Sequence, residues 1–176
     1  WERAQRTRIE QGYARYRQIA AEACAEAAAA QGLSLGEEDA RAFADSITTW
    51  KPFPDTLAAL ARLKRKFKLG IISNIDDDIL GETVRHLGVE FDLLMTAEQA
   101  RAYKPSPVPF ERALEKLGLP PERVAHAAFG FEYDIGTAAQ LGFRTILVRR
   151  GRRRFPPTPI PDLAVADLAE LAAHFA

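Results

Sequence analysis

The polar side chains best suited to chemistry lie in three short segments that follow apolar runs. These segments are Ser73-Asn74, Lys104-Pro105 and Asp134. A hydroxyl, an amide and free backbone N–H groups at Ser73-Asn74 could bind an anion. Lys104, held out of helical geometry by Pro105, could neutralise a carboxylate or a phosphate. Because open α/β sheets bind ligands at the carboxyl ends of their strands, we expect the three segments to share one site.

No acidic nucleophile precedes these segments. Asp76, Asp77 and Asp78 resemble an Asp-x-Asp pattern, but they lie past the strand end, where the dipole of a helix N-terminus favours acids. His126 falls in a predicted strand and is interpreted as a hydrogen-bonded core histidine rather than a base. The sequence has no Ser-His-Asp or Cys-His arrangement and no P-loop pattern. It therefore indicates an active site that lacks its attacking residue.

The composition is that of a globular chain with no strong charge preference. The 176 residues carry 24 basic and 24 acidic side chains and are 47% apolar, which suits one domain or a core with a small appended domain. This balance predicts neither nucleic acid nor an anionic membrane as a partner. Cys24 is the one cysteine, which excludes an internal disulfide and favours a cytoplasmic location. The basic run at 149–154 is interpreted as a solvated loop.

Two regions with different patterns follow each other along the chain. Residues 1–49 predict a helical module, because Glu2–Gln31 is rich in strong helix formers and Ser34, with Glu37 three residues later, predicts the start of another helix. Residues 50–176 alternate between short apolar runs and amphipathic segments. We therefore expect a small helical domain at 1–49 and an α/β core at 50–176.

The second region predicts parallel strands joined by helices. The predicted strands are Leu69–Ile72, Phe91–Met95, Val124–Phe129 and Thr145–Val148, and the predicted helices include Asp76–Leu87, Pro107–Leu117, Tyr133–Leu141 and Val165–His174. Alternation at this spacing predicts right-handed βαβ crossovers. The expected fold class is a doubly wound, Rossmann-like α/β fold with a parallel sheet.

Taken in order, these segments resemble the motifs of the haloacid dehalogenase superfamily. Gly70–Asn74, Tyr103–Pro105 and Asp134–Ala138 resemble its motifs II, III and IV. Further landmarks resemble the L-2-haloacid dehalogenase-like (type II) branch, namely a cap-to-core junction at Trp50–Asp55 and the segments Phe91-Asp92 and Ala97–Ala100 before the lysine. The resemblance covers nearly the whole chain and is strongest over 50–151.

The resemblance implies both an architecture and a chemistry. Residues 1–49 would be a cap inserted after the first strand, and an aspartate at the tip of that strand would attack a small anionic substrate to form an ester that water hydrolyses. By motif position, Ser73 and Asn74 would bind the substrate anion, and Tyr133 would also contact the substrate. Lys104 would keep the nucleophile ionised, and Asp134 would orient Lys104 or the water.

The resemblance also bears on metal dependence and on the pocket. Phosphatases of the superfamily carry a Gly-Asp pair for Mg²⁺ where this chain has Ala128-Phe129, so we expect a hydrolase without a metal or another cofactor. A Mg²⁺-dependent phosphatase is the alternative. Dehalogenases place small polar residues near the positions of Phe129 and Phe131, so the pocket here is expected to be more apolar.

The beginning of the chain leads to a further expectation. The chain starts at Trp1 rather than Met, inside the expected cap, so we expect the first strand and its aspartate to be missing and the chain alone to be inactive. That strand would be central, so the isolated chain is expected to fold poorly or to close its sheet abnormally. A non-catalytic binding or dimerisation protein with this fold is a third reading, and analogy with helical caps suggests a homodimer.

Overall fold

The computed structural model describes residues 1–151 and 156–175. Its α-helices are α1 (Glu2–Glu10), α2 (Tyr16–Ala29), α3 (Glu37–Ser46), α4 (Thr56–Lys64), α5 (Asp77–Leu87), α6 (Ala97–Ala100), α7 (Val108–Leu117), α8 (Gly136–Gln140) and α9 (Leu168–His174). Its strands are β1 (Gly70–Ser73), β2 (Leu93–Thr96), β3 (Ala125–Ala128), β4 (Arg144–Val148) and β5 (Leu163–Val165). All paired strands run parallel, which confirms the predicted α/β fold with a parallel sheet.

The first three helices pack on each other and on the region that follows them. Ile19 and Ala20 of α2 share a buried apolar cluster with Ala44 of α3 and Ile79 of α5. The start of α2 is capped from a distance, because the buried carboxylate of Asp76 accepts the N–H groups of Tyr16 (2.9 Å) and Arg17 (3.0 Å). The division into a cap at 1–49 and a core at 50–176 stays a prediction.

The sheet of the described residues is divided into two parts. β1 pairs with β2, with Ser73 opposite Thr96, while β4 lies between β3 and β5. No ladder joins β1 to β3 within residues 1–151 and 156–175. Phe110 of α7 packs across the division, in a cluster with Ile72 of β1 and Phe143 just before β4. Apolar packing therefore connects the two parts where backbone pairing does not.

Several local predictions are confirmed and others are wrong. Gly88 and Gly118 end α5 and α7 in the left-handed conformation, as their positions after the apolar periodicity predicted. The predicted capping box at Ser34 is wrong, because α3 begins at Glu37 after Gly36 and has no side-chain cap. The helix predicted from Val165 is also wrong at its start, because Leu163–Val165 pairs with β4 as β5. Pairing with a neighbouring strand outweighs local helix propensity there.

Two further predictions concern the segment after β3 and the basic run. Phe131–Ile135 forms one wide helical turn that leads into α8, rather than a single helix over Tyr133–Leu141. The second half of the basic run, 152–154, lies outside the described residues. Within the part of the chain that is described, no helix has both the length and the apolar character needed to cross a membrane.

Candidate active site

The loop after β1 holds Lys104 in place through its backbone. Asn74 Nδ2 donates to the carbonyl oxygen of Lys104 at 2.9 Å, and Asn74 Oδ1 accepts the N–H of Lys104 at 2.7 Å. On the other side, Thr137 Oγ1 donates to the carbonyl oxygen of Pro105 at 2.9 Å. These contacts fix the turn between α6 and α7. The motifs that contain Asn74 and Thr137 therefore determine the direction of the Lys104 side chain.

The Lys104 ammonium connects the two parts of the sheet. Lys104 Nζ donates to the carbonyl oxygen of Ile72 in β1 at 2.8 Å and to Asp134 Oδ1 at 2.5 Å. Lys104 and Asp134 are only 8% and 9% exposed. A charge buried to this degree needs its partner, because removing one member leaves the other uncompensated in a poorly solvated place. Lys104 and Asp134 therefore form a buried ion pair at the carboxyl ends of β1 and β3.

Asp134 is held in its ionised form. Burial by itself raises the pKa of Asp134, but the nearby Lys104 ammonium and the contact with His126 outweigh burial, so the pKa lies below the usual 3.8. His126 Nε2 lies 2.9 Å from the same Oδ1 atom that accepts from Lys104. An ionised Asp134 can only accept hydrogen bonds, which suits a group that orients donors.

A cleft of about 1000 Å³ opens beside this pair. The residues predicted from sequence all line it, namely Ser73, Asn74, Lys104, Tyr133 and Asp134. They come from three motifs spread over 60 positions of the chain, and the parallel strands bring them together. The cleft is large enough for a small-molecule ligand.

The opposite wall of the cleft comes from α1. Arg6 Nε donates to the Tyr133 hydroxyl at 2.8 Å, and Arg6 Nη2 lies 2.5 Å from Glu132 Oε2. The guanidinium carbon of Arg6 also lies 5.0 Å from the centroid of the Tyr133 ring. Sequence reasoning missed Arg6, because nothing local in an Arg-rich helix marks one arginine as the partner of a residue 127 positions away.

The two phenylalanines expected in the pocket differ in their surroundings. Phe129 lines the cleft and is 40% exposed. Phe131 also borders the cleft, but its side chain is buried in a core cluster with Ile135 and Leu147. The aromatic surface available to a ligand on this wall therefore comes mainly from Phe129 and Tyr133.

The three consecutive aspartates after β1 make structural contacts. Asp76 caps α2, Asp77 Oδ1 accepts the Thr96 hydroxyl at 2.6 Å, and Asp78 pairs with Arg17 at 2.7 Å. None of the three is among the residues that line the cleft.

The donors that the described residues bring to the site do not by themselves form a Mg²⁺ centre. Across residues 1–151 and 156–175, no three His, Cys, Asp or Glu side chains converge as a metal site requires. Mg²⁺ prefers carboxylate, phosphate and water oxygens, whereas Asp134 Oδ1 already accepts from the Lys104 ammonium.

Comparison with known proteins identifies the family. Residues 2–142 match the sequence model of the haloacid dehalogenase-like hydrolases. The match covers well over half of the chain, so the chain belongs to the haloacid dehalogenase-like hydrolase family, and the resemblance drawn from its motifs is confirmed.

Two of the relatives differ in the activity that their names give. The chain is 28% identical to the (S)-2-haloacid dehalogenase of Pseudomonas putida over 145 residues, which cover 80% of this chain and 63% of the relative. It is 37% identical to the glyceraldehyde 3-phosphate phosphatase of Methanothermobacter thermautotrophicus over 101 residues, 56% of this chain and 45% of the relative. The chain spans about half the length of the first curated relatives that it matches.

A solved structure with the same fold is the L-2-haloacid dehalogenase from Xanthobacter autotrophicus. It matches with a TM-score of 0.82 and 25% identity, over 99% of this chain and 80% of that one. The match supports the Rossmann-like architecture expected from the motifs.

Proposed function

We propose that the intact protein hydrolyses a small 2-haloacid through an aspartyl-ester intermediate. The observation that carries this proposal is the buried Lys104–Asp134 pair beside a cleft at the carboxyl ends of β1 and β3. A carboxylate placed there would meet the Lys104 ammonium, which favours the ionised, nucleophilic form. The similarity to haloacid dehalogenases supports the choice of substrate class.

The attacking aspartate would come from a further strand between β1 and β3. These strands have no ladder between them in the described chain, so their facing edges could each pair with such a strand. Its carboxylate attacks C2 of the haloacid, and halide leaves with the electrons of the carbon–halogen bond. Water then attacks the ester carbonyl, which releases the 2-hydroxy acid and restores the carboxylate.

The other residues of the site would bind the substrate and orient the reacting groups. Ser73 and the backbone N–H groups that follow it would hold the substrate carboxylate, and Tyr133 would contact the substrate from the side of the cleft. Asn74 would act mainly by holding Lys104, since its amide is bonded to the Lys104 backbone on both atoms. Residues 1–49 would form the cap over the cleft. A homodimer stays a prediction.

Halide release by the intact protein tests the proposal. Wild-type protein should release chloride from (S)-2-chloropropanoate, and Lys104→Met should lower the rate by about 10²–10³-fold, as the loss of one preorganised hydrogen-bond donor does in other enzymes. Lys64→Met is the matched control, because Lys64 pairs with Asp92 away from the cleft.

Two outcomes would decide against the proposal. Absence of halide release from every 2-haloacid tried would exclude a dehalogenase. Phosphate release from an aryl phosphate that EDTA abolishes would instead favour the phosphatase, the activity named for the Methanothermobacter thermautotrophicus relative.

A further inference from the structure

His126 contacts the candidate active site but has no part in the proposed chemistry. Its ring lies edge-on to Phe110, with centroids 5.0 Å apart, and edge-on to Phe143, with centroids 6.4 Å apart. Only 12% of the His126 side chain is exposed. Two aromatic neighbours restrict rotation of the ring, and its Nε2 atom lies 2.9 Å from Asp134 Oδ1.

The Asp134 carboxylate is confined from several directions. Its Oδ1 contacts Lys104 Nζ at 2.5 Å as well as His126 Nε2. Its Oδ2 lies so near Gly130 that a Cβ atom built on that glycine would be only 2.4 Å away. In a Lys–Asp pair by itself both side chains can still rotate, because the terminal torsion of Asp is broad and the lysine stem is flexible. A second donor on Oδ1 removes much of that freedom.

We propose that His126 is a positioning residue whose Nε2–H donates to Asp134 Oδ1 and so fixes the carboxylate that directs the Lys104 ammonium. The residues that shift the Asp134 pKa electrostatically are Lys104, from the segment before α7, and His126, from β3. The consequence for catalysis rests on the proposed function. The hydrogen bond itself does not, and it can be measured without turnover.

The proton on the His126 ring gives a first test. A ring that carries a proton on Nε2 can donate this bond, whereas a ring protonated on Nδ1 alone cannot. Nitrogen-15 NMR of the histidine side chains in the intact wild-type protein at neutral pH should show His126 protonated on Nε2. A ring protonated only on Nδ1 overturns the proposal, and this result needs no variant.

Two substitutions then separate donation from packing. Gln in His126→Gln can still donate to Asp134, whereas Phe in His126→Phe fills the place between Phe110 and Phe143 without a donor. Titration of the Asp134 carboxyl carbon by NMR should give a pKa about one unit higher in His126→Phe than in wild type, and a smaller increase in His126→Gln, because Gln keeps the hydrogen bond but not the charge of the ring that also lowers the Asp134 pKa. His174→Phe, at the exposed end of α9, is the control for loss of a histidine.

Each outcome of the titration supports or overturns the positioning role of His126. An Asp134 pKa unchanged in His126→Phe would show that His126 only fills space, and a pKa raised equally in both variants would show that the ring acts through its charge rather than through the hydrogen bond; either result overturns the proposal. If His126→Phe does not fold, the ring proton in the wild type and the Asp134 titration in His126→Gln decide alone. Halide release has no part in these readouts, so a failure of the proposed dehalogenase activity stays distinguishable from a failure of the positioning role.

Discussion

The part of the sheet that contains β4 and the part that contains β1 are stabilised differently. β4 is buried from Thr145 to Val148 and pairs with a strand on each side. β1 is only partly buried and pairs with β2 alone in the described chain. Among the described residues, the Lys104 ammonium links the Ile72 carbonyl of β1 to Asp134 after β3, and Phe110 packs with both Ile72 and Phe143. The polar groups of the site therefore also connect the two parts of the sheet.

The largest expected effect comes from removing the apolar connection. Phe110 is fully buried between the two parts, so Phe110→Ala should lower the free energy of unfolding by about 3–5 kcal/mol in urea denaturation. Phe67→Ala is the matched control, since Phe67 is exposed and its ring lies edge-on to Phe175, away from Ile72 and Phe143. A loss below about 1 kcal/mol for Phe110→Ala would contradict the bridging role.

Removing the polar connection should cost nearly as much. Lys104→Met leaves the buried Asp134 carboxylate without its cation, so we expect a loss of about 3–5 kcal/mol. Lys64→Met breaks a more exposed pair with Asp92 and should cost about 0–1 kcal/mol. Hydrogen exchange sharpens the comparison, because amides of β1 should exchange faster in Lys104→Met while those of β4 stay protected. Equal effects on both strands would argue against a connection specific to β1.

A smaller effect is expected from crowding the carboxylate. Gly130→Ala places a Cβ atom 2.4 Å from Asp134 Oδ2, and Asp134 can move only by weakening its contacts with Lys104 and His126. We expect a loss of about 1–3 kcal/mol. Gly81→Ala, in α5 with open space at the Cβ position, should be neutral or slightly stabilising. Wild-type stability of Gly130→Ala would show that the carboxylate moves freely.

The smallest effect is the pH dependence of the site. The pKa of Asp134 is lowered in the folded state, so its ionised form contributes stability that is complete above the unfolded value near 3.8 and is lost as the pH falls through the folded pKa. Urea denaturation from about pH 5 to about pH 2 should therefore show a steeper loss for wild type than for Asp134→Asn. Parallel curves for the two proteins would contradict a lowered pKa.

Much of the local structure could be predicted from the sequence. Gly88 and Gly118 end helices where the apolar periodicity stops, because the left-handed conformation there suits glycine. Ser73 ends β1, Lys104 and Asp134 lie in the segments that follow β2 and β3, and all three line one cleft at the edge where parallel sheets bind their ligands. The helix ends depend on local propensity. The shared cleft depends on the order of strands and helices, which can be followed along the chain.

Other features depend on partners that are distant in the chain. Val165 ends a strand because β4 offers a ladder to Leu163–Val165, although the sequence predicted a helix from Val165 onward. Asp76 caps a helix 60 residues before it, and His126 lies 2.9 Å from Asp134 with its ring edge-on to two phenylalanines. The order and spacing of the motifs in the sequence by itself indicated a chain of the haloacid dehalogenase-like family. Only the tertiary structure decided which donors hold Asp134, because a hydrogen bond depends on distance and angle that no sequence spacing specifies.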